Sequence, residues 1–209
     1  MSKILTTQLT GLFQRIQSTE EDKIGDAARL LAQAGIGEGN VYFACFGELT
    51  AVELHALHGV QPFNKLLPWS DKVELTEADR VCIFTPSAFD KEAIALAKRL
   101  FDDFIPFAVV TSEKEEAEGN ELAELAYVYV SLKIRGGILP HPTNLGERIV
   151  FPHLIATLYV YEAIKMEYDE MVGEEEDDLS DSSGSDLPSF EEMHGGNSGG
   201  SNSGGSPFA

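Results

Sequence analysis

The sequence predicts an α/β protein, a three-layer α/β/α sandwich with a five-stranded parallel sheet in a flavodoxin-like arrangement. Two observations support this prediction. Nearly continuous apolar runs are typical of strands that are covered on both faces, and such runs occur at 40–46, 63–69, 79–85, 105–111 and 126–132. Segments with apolar residues at helical spacing separate these runs, and strands that alternate with helices favour a parallel sheet with right-handed crossovers.

The predicted helices follow from the same periodicity. Residues 4–17 place six apolar side chains at helical spacing. A second helix is predicted after Thr19, which can cap it together with Asp22 three residues later. Pro152 fits best in the first turn of the last helix, because a proline further inside would break the hydrogen-bond ladder. The remaining helices are predicted at 50–58, 88–102, 114–124 and 149–171.

The charge of the chain is strongly negative and unevenly distributed. The net charge is −20 over 209 residues, and residues 173–209 contain nine Asp or Glu residues and no Lys or Arg. This acidic and Gly/Ser-rich segment cannot bury enough apolar surface to fold, so we predict that it is disordered. Residues 1–172 are the predicted folded domain. They are also acidic, which argues against a nucleic-acid partner.

The apolar segments predict neither secretion nor membrane insertion. The N-terminus lacks the uninterrupted apolar run and the cleavage site of a secretion signal. The most apolar late stretch, 149–164, is 16 residues long and is interrupted by Pro152 and Glu162, so it is too short and too polar to cross a bilayer. We therefore expect a cytoplasmic protein without a membrane partner, in which Cys45 and Cys82 are buried thiols.

Ligands of such sheets bind outside the carboxyl ends of the strands, at the point where the strand order reverses. This rule selects three loops, 46–50, 85–90 and 111–115. Each loop matches a helix-capping box, and the pairs are Thr50 with Glu53, Ser87 with Asp90, and Ser112 with Glu115. Capping alone is a sufficient reason for these residues. The alternative is that the free N–H groups and hydroxyls bind an anion, and three such loops on one edge favour it.

The order of these elements resembles the sugar isomerase (SIS) domain superfamily, and within it the phosphoheptose isomerase type. The stretch VVTSEKEEAEGNELAELAYVYV, residues 109–130, is similar to the TS…LAELAD segment of SIS domains. TTQLTGLFQRIQ…DAARLLAQA resembles a small bacterial family of SIS-like proteins, and the resemblance covers residues 3–172. It implies a carbohydrate-derivative ligand, foremost a sugar phosphate, and assembly into a homodimer or larger homo-oligomer.

The resemblance also implies which residues contact the ligand. The expected ligand-binding residues are Gly47, Thr50, Thr85, Ser87, Asp90, Thr111, Ser112 and Arg148. In the second loop, Ala88 stands where SIS loops have a glycine, and Asp90 stands where they have a hydroxyl. A carboxylate at that position repels a phosphate and occupies the N–H groups that the phosphate needs. If the protein isomerises a sugar, the expected catalytic bases are Glu48, Glu53 and His153.

No metal or other cofactor is expected. His55 and His58 lie three residues apart on one helix, as two metal ligands can. However, the phosphoheptose type has further ligands on its last helix, where Val150 and Leu158 stand in this sequence. Three functions remain open: carbohydrate binding without catalysis, aldose–ketose isomerisation of the phosphoheptose type, and a non-catalytic protein-interaction module whose ligand site has decayed.

Overall fold

The computed structural model describes residues 2–144 and 146–182. Its helices are α1 (Ser2–Ile36), α2 (Thr50–His58), α3 (Lys91–Asp102), α4 (Glu121–Leu125) and α5 (His153–Ser182). Its strands are β1 (Val41–Cys45), β2 (Leu66–Leu67), β3 (Arg80–Phe84), β4 (Phe107–Thr111), β5 (Val128–Ser131), β6 (Leu139–Pro140) and β7 (Arg148–Ile149).

Five of these strands form one parallel sheet in the order β2-β1-β3-β4-β5. This is the flavodoxin-like order, and it confirms the predicted α/β sandwich. The strand order reverses between β1 and β3, which pair from Val41 with Arg80 to Cys45 with Phe84. Strands β6 and β7 form a separate antiparallel pair. The carboxyl ends of β1, β3, β4 and β5 therefore share one edge of the sheet.

Side chains alternate between two apolar layers, one on each face of the sheet. In β1, Val41 and Phe43 pack in the layer that α1, α2 and α5 cover, whereas Tyr42 and Ala44 pack in the layer that α3 and α4 cover. This alternation explains the continuous apolar runs of β1, β3, β4 and β5, because both faces of these strands are buried. Both cysteines are free thiols. Cys82 is buried, and Cys45, at the end of β1, is half-buried.

Helix α1 is a single helix, so the prediction of two helices separated near Thr19 is wrong. The Thr19 hydroxyl donates to the carbonyl of Arg15 at 2.8 Å, within the helix, instead of capping a new one. A threonine that bonds back to the preceding turn is compatible with a continuous helix. Helix α4 also begins later than predicted, at Glu121, where the side chain of Asn120 accepts from the N–H of Ala123 at 3.2 Å.

The segment before α5 also differs from the prediction. Residues 148–149 form strand β7 rather than the first turn of a helix. Helix α5 begins at His153, and the carbonyl of Pro152 accepts from the N–H of Ala156 at 2.9 Å. Pro152 thus stands immediately before the helix, where its missing N–H removes no helical hydrogen bond.

Helix α5 continues to Ser182, so it overlaps the first residues of the segment 173–209 that was predicted to be disordered. Residues 183–209 lie outside the described residues, and for them disorder stays a prediction.

The surfaces of the long helices bear on membrane and partner contacts. None of the helices within the described residues combines the length and the apolar composition that a bilayer span requires. Exposed apolar side chains occur on α1 at Ile4 and on α5 at Ile155 and Met166. The homodimer expected through these helices stays a prediction.

Asp79 links the residue before β1 to the turn before β3. The side chain is 3% exposed. Its carboxylate accepts from the N–H of Asn40 at 2.8 Å, from the N–H of Thr76 at 2.7 Å and from the hydroxyl of Thr76 at 2.9 Å. Burial raises the pKa of this carboxyl, but the hydrogen bonds outweigh burial and leave the pKa below its usual value.

This lowered pKa predicts how Asp79 affects stability as a function of pH. A carboxyl with a lowered pKa in the folded state stabilises the fold above its unfolded pKa of about 3.9, and that stabilisation is lost as the pH falls through the folded pKa. We expect Asp79→Asn to be less stable than the native chain at neutral pH and to lose less additional stability on acidification. Urea unfolding between about pH 6 and pH 3 measures this. The same acid slope in Asp79→Asn as in the native chain would contradict it, and the exposed Asp102→Asn is the control.

Candidate functional site

The structure brings the three predicted loops together at the carboxyl edge of the sheet. The N–H of Phe46 donates to the carbonyl of Phe84 at 2.9 Å, which ties the first loop to the second. The Ser112 hydroxyl donates to the carbonyl of Pro86 at 2.6 Å, which ties the third loop to the second. These two hydrogen bonds connect the three loops to one another.

In the second loop, Asp90 caps helix α3 by itself. Its Oδ1 accepts from the N–H of Glu92 at 2.9 Å and from the N–H of Ala93 at 3.0 Å. Helix α3 begins at Lys91, so the predicted capping box with Ser87 at the N-cap is wrong by three residues. The Asp90 carboxylate is therefore committed to the N-terminus of α3.

The donors of this loop bind a different carboxylate, that of Glu113. One oxygen, Oε2, accepts from the N–H of Ala88 at 2.7 Å, and the other, Oε1, lies 3.1 Å from the Ser87 hydroxyl. The Thr111 hydroxyl lies 3.4 Å from Oε2. We call the donors of Ser87, Ala88 and Thr111 the anion cradle. The loop that the sequence indicated as an anion site thus holds an anion from its own chain.

The remaining hydroxyls of the second loop stabilise the loop itself. The buried Thr85 hydroxyl donates to the carbonyl of Ser87 at 3.0 Å and lies 3.4 Å from the N–H of Ser87. In the third loop, Ser112 and Glu115 do not form the predicted capping box, because the chain turns there and the next helix begins at Glu121. Ser112 instead bonds to the second loop, as described above.

The first loop also departs from its predicted capping box. The Thr50 hydroxyl donates to the carbonyl of Gly47 at 3.2 Å, and Glu53 accepts from the N–H of Trp69 at 2.7 Å. The Glu53 carboxylate thus fixes the segment that follows β2, which differs from the catalytic base predicted for it. Gly47 has a φ of 56°, in the left-handed region that side chains disfavour.

The structure pairs two of the three predicted catalytic residues. Oε1 of Glu48, in the first loop, lies 3.3 Å from Nδ1 of His153, the first residue of α5. The His153 side chain is 18% exposed and that of Glu48 is 52% exposed. A carboxylate next to an imidazole is a chemically suitable pair for proton transfer near neutral pH.

Two cavities adjoin each other, and the first of them lies beside the third loop. The first has a volume of about 410 Å³, and its polar lining consists of Ser112, Glu113, Lys114, Glu116, Lys133 and Arg135. The second has a volume of about 240 Å³, and its polar side chains are Gln8, Arg15, Lys133, Arg135 and Arg148. Lys133, Ile134 and Arg135 line both cavities. The predicted ligand residue Arg148 therefore lines the second cavity, and Ser112 lines the first.

Comparison with known proteins identifies the family. The family described as "Domain of unknown function (DUF2529)" matches residues 1–172. The chain belongs to the DUF2529 family. The uncharacterized protein YwjG of Bacillus subtilis strain 168 is 35% identical to this chain over 175 residues, which cover 83% of this chain and 99% of that protein.

Solved structures identify the fold of this DUF2529 chain. The Vibrio vulnificus NanR protein, complexed with ManNAc-6P, is similar with a TM-score of 0.59 and 12% identity over 87% of this chain and 67% of that one. Phosphoheptose isomerase GmhA from Neisseria gonorrhoeae has a TM-score of 0.53 and 14% identity over 84% of this chain and 96% of that one. The sugar isomerase domain of an RpiR transcription factor from Sphaerobacter thermophilus has a TM-score of 0.53 and 13% identity over 86% and 97%. These likenesses confirm the SIS fold that the sequence predicted.

Sequence reasoning missed the residue that dominates the site of the DUF2529 chain, Glu113. The sequence did contain a signal for it. Glu113 follows the buried strand β4 by two residues, at the edge where the free N–H groups of the second loop were expected. An acid in that position can satisfy those groups from a neighbouring loop.

Proposed function

We propose that this protein binds a carbohydrate derivative, foremost a sugar phosphate, at the carboxyl edge of its sheet, without isomerising it. One observation carries the proposal: the anion cradle presents an N–H and two hydroxyls to a carboxylate, at distances of 2.7 to 3.4 Å. Donors arranged in this way also suit a phosphate oxygen. The loop is thus preformed to hold an anion, and Glu113 holds the place that a ligand can take.

Displacement of Glu113 by a ligand is physically reasonable. Glu113 is half-buried and lines the first cavity, so its carboxylate has a route toward solvent. A phosphate monoester carries more charge than a carboxylate and has three acceptor oxygens, so it competes well for the same donors. Displacement nevertheless breaks the hydrogen bonds that Glu113 makes in the cradle. We therefore expect the ligand to bind with modest affinity.

The first cavity offers the other groups that a phosphorylated sugar needs. Lys114 and Arg135 are cations, and Ser112 can bond to a sugar hydroxyl. The NanR protein, whose fold this chain shares, was solved with a phosphorylated sugar bound. That likeness supports the proposal at the level of the fold, and the cradle supports it at the level of residues.

A ligand panel tests the proposal. We expect sugar phosphates and amino-sugar phosphates to raise the melting temperature, whereas the parent sugars raise it less, because the phosphate supplies the anion. A ligand at 100 times its Kd adds about 2.7 kcal/mol to the stability. Matched chloride controls for ionic strength, and inorganic phosphate measures the stabilisation that the phosphate group produces without the sugar. If no phosphorylated sugar stabilises the protein, the interaction-module hypothesis replaces this one.

Isomerisation is the second candidate, because the pair of Glu48 and His153 supplies a possible acid and base. Moving a carbonyl between neighbouring carbons requires a base that removes the proton between them. Proton NMR in heavy water detects this step as solvent exchange at that carbon. Catalysis would be established if the native chain exchanged this proton in the best ligand of the panel and His153→Ala did not. If the native chain exchanged no proton, the protein would bind the ligand without isomerising it.

A further inference from the structure

The second cavity concentrates positive charge in a strongly acidic protein. Three arginines and one lysine line it, whereas the net charge of the whole chain is −20. Among the described residues that line this cavity, none carries a carboxylate. Such a concentration of like charge opposes folding unless a counter-charge accompanies it.

The partners of these cations show how much of the charge is compensated. Lys133 pairs with the buried Glu20, whose Oε1 lies 2.5 Å from its Nζ. Arg148 donates from Nε to the carbonyl of Gly137 at 2.5 Å and from Nη2 to the carbonyl of Ile138 at 3.0 Å. These carbonyls orient the guanidinium but do not neutralise it.

The other two arginines have no comparable structural role. Among the side chains described, those of residues 2–144 and 146–173, neither Arg15 nor Arg135 makes a side-chain hydrogen bond or an ion pair. Both side chains are exposed and lie at the same cavity. The cavity therefore combines one oriented guanidinium with two whose donors are available to a ligand.

We propose that the second cavity binds a small multivalent oxyanion, namely inorganic phosphate or the phosphate group of a metabolite. Guanidinium groups bind such oxyanions through two parallel N–H donors, and several around one anion neutralise it more completely than one. A volume of about 240 Å³ accommodates a phosphate with a small organic group. This site goes beyond the proposed function, because it does not include the anion cradle.

Titration with inorganic phosphate tests the proposal, by calorimetry at constant ionic strength. We expect Arg15→Gln to weaken phosphate binding about tenfold, since one charge-assisted contact is worth about 1.4 kcal/mol or more. Arg15 is exposed on α1, so its replacement leaves the fold intact, and circular dichroism checks this. Arg135→Gln should weaken binding as well.

The matched control is Lys3→Gln, which removes the same charge from an exposed position of α1 that lines neither cavity. We expect it to change phosphate binding less than twofold, a limit set by screened long-range attraction. Absence of phosphate binding by the native chain would overturn the proposal. So would equal losses in Arg15→Gln and Lys3→Gln, which would indicate diffuse attraction. Because Arg15 does not line the first cavity, failure here leaves the sugar-binding proposal standing.

Discussion

Glu113→Ala is expected to bind phosphorylated sugars about tenfold more tightly than the native chain, or more. The substitution removes the carboxylate that occupies the anion cradle, and with it a like charge next to the incoming phosphate. Two unit charges about 4 Å apart interact by about 4 kcal/mol near a protein surface, which sets the upper range of the effect. Isothermal titration with the best ligand of the panel measures the change.

Stability should change in the opposite direction. The N–H of Ala88, whose residue is fully buried, loses its acceptor in Glu113→Ala. A buried donor without a partner costs about 1 to 3 kcal/mol. We therefore expect the ligand-free variant to melt earlier than the native chain, and a phosphorylated sugar to recover more stability in the variant than in the native chain.

Glu116→Ala is the matched control for Glu113→Ala. Glu116 lines the same first cavity, but the cradle donors bond to Glu113. A gain in affinity for the phosphorylated sugar in Glu113→Ala alone would place the phosphate in the cradle. Equal gains in affinity in both variants would mean that the overall negative charge near the cavity governs binding. Weaker binding in Glu113→Ala would mean that Glu113 itself holds the ligand, and would favour a neutral sugar.

Glu20→Ala is expected to lower the free energy of unfolding by about 3 to 5 kcal/mol, the range for breaking a buried ion pair. Glu20 is 2% exposed in the middle of α1. Its Oε2 accepts from the buried N–H of Ser131 at 3.0 Å, and its Oε1 pairs with Lys133. The substitution leaves the N–H without a partner and the largely buried Lys133 without its counter-charge. Urea unfolding at neutral pH measures the loss.

The neighbouring Glu21→Ala provides the control for this substitution. Glu21 is exposed on the same helix, so its loss should change stability by about 0.5 kcal/mol or less. Glu20→Gln keeps an acceptor for the N–H of Ser131 but removes the charge. We expect its loss in the free energy of unfolding to lie between those of the two alanine variants. Equal stabilities of the two alanine variants would contradict the role assigned to the ion pair.

The sequence was sufficient to predict the sheet. Strands β1, β3, β4 and β5 are buried on both faces, so each produces a nearly continuous apolar run that local inspection detects, as in 79–85, where the structure has Arg80–Phe84. Helix α2 was also predicted at its observed bounds, 50–58. The layered order of the fold then follows from the alternation of strands with helices and from the right-handed crossovers between parallel strands.

The details of the site could not be predicted, because their partners lie far away in the sequence. A capping box is a local pattern, and its residues serve equally well in contacts between loops. Glu113 reaches Ala88, 25 residues earlier, and Glu20 reaches Ser131, 111 residues later. Local pattern gives the residue types available at the edge, whereas packing of the loops decides which donor meets which acceptor.

The length of α1 has a consequence for the motions of the domain. Its 35 residues span about 50 Å, but the first buried residue is Leu12. From Leu12 onward one face of the helix packs in the core, so we expect the backbone amides there to exchange with solvent more slowly. The turns before Leu12 have little apolar surface to hold them and open by fraying. We therefore expect about the first third of this continuous helix to exchange rapidly and the rest slowly, with the border about one turn before Arg15.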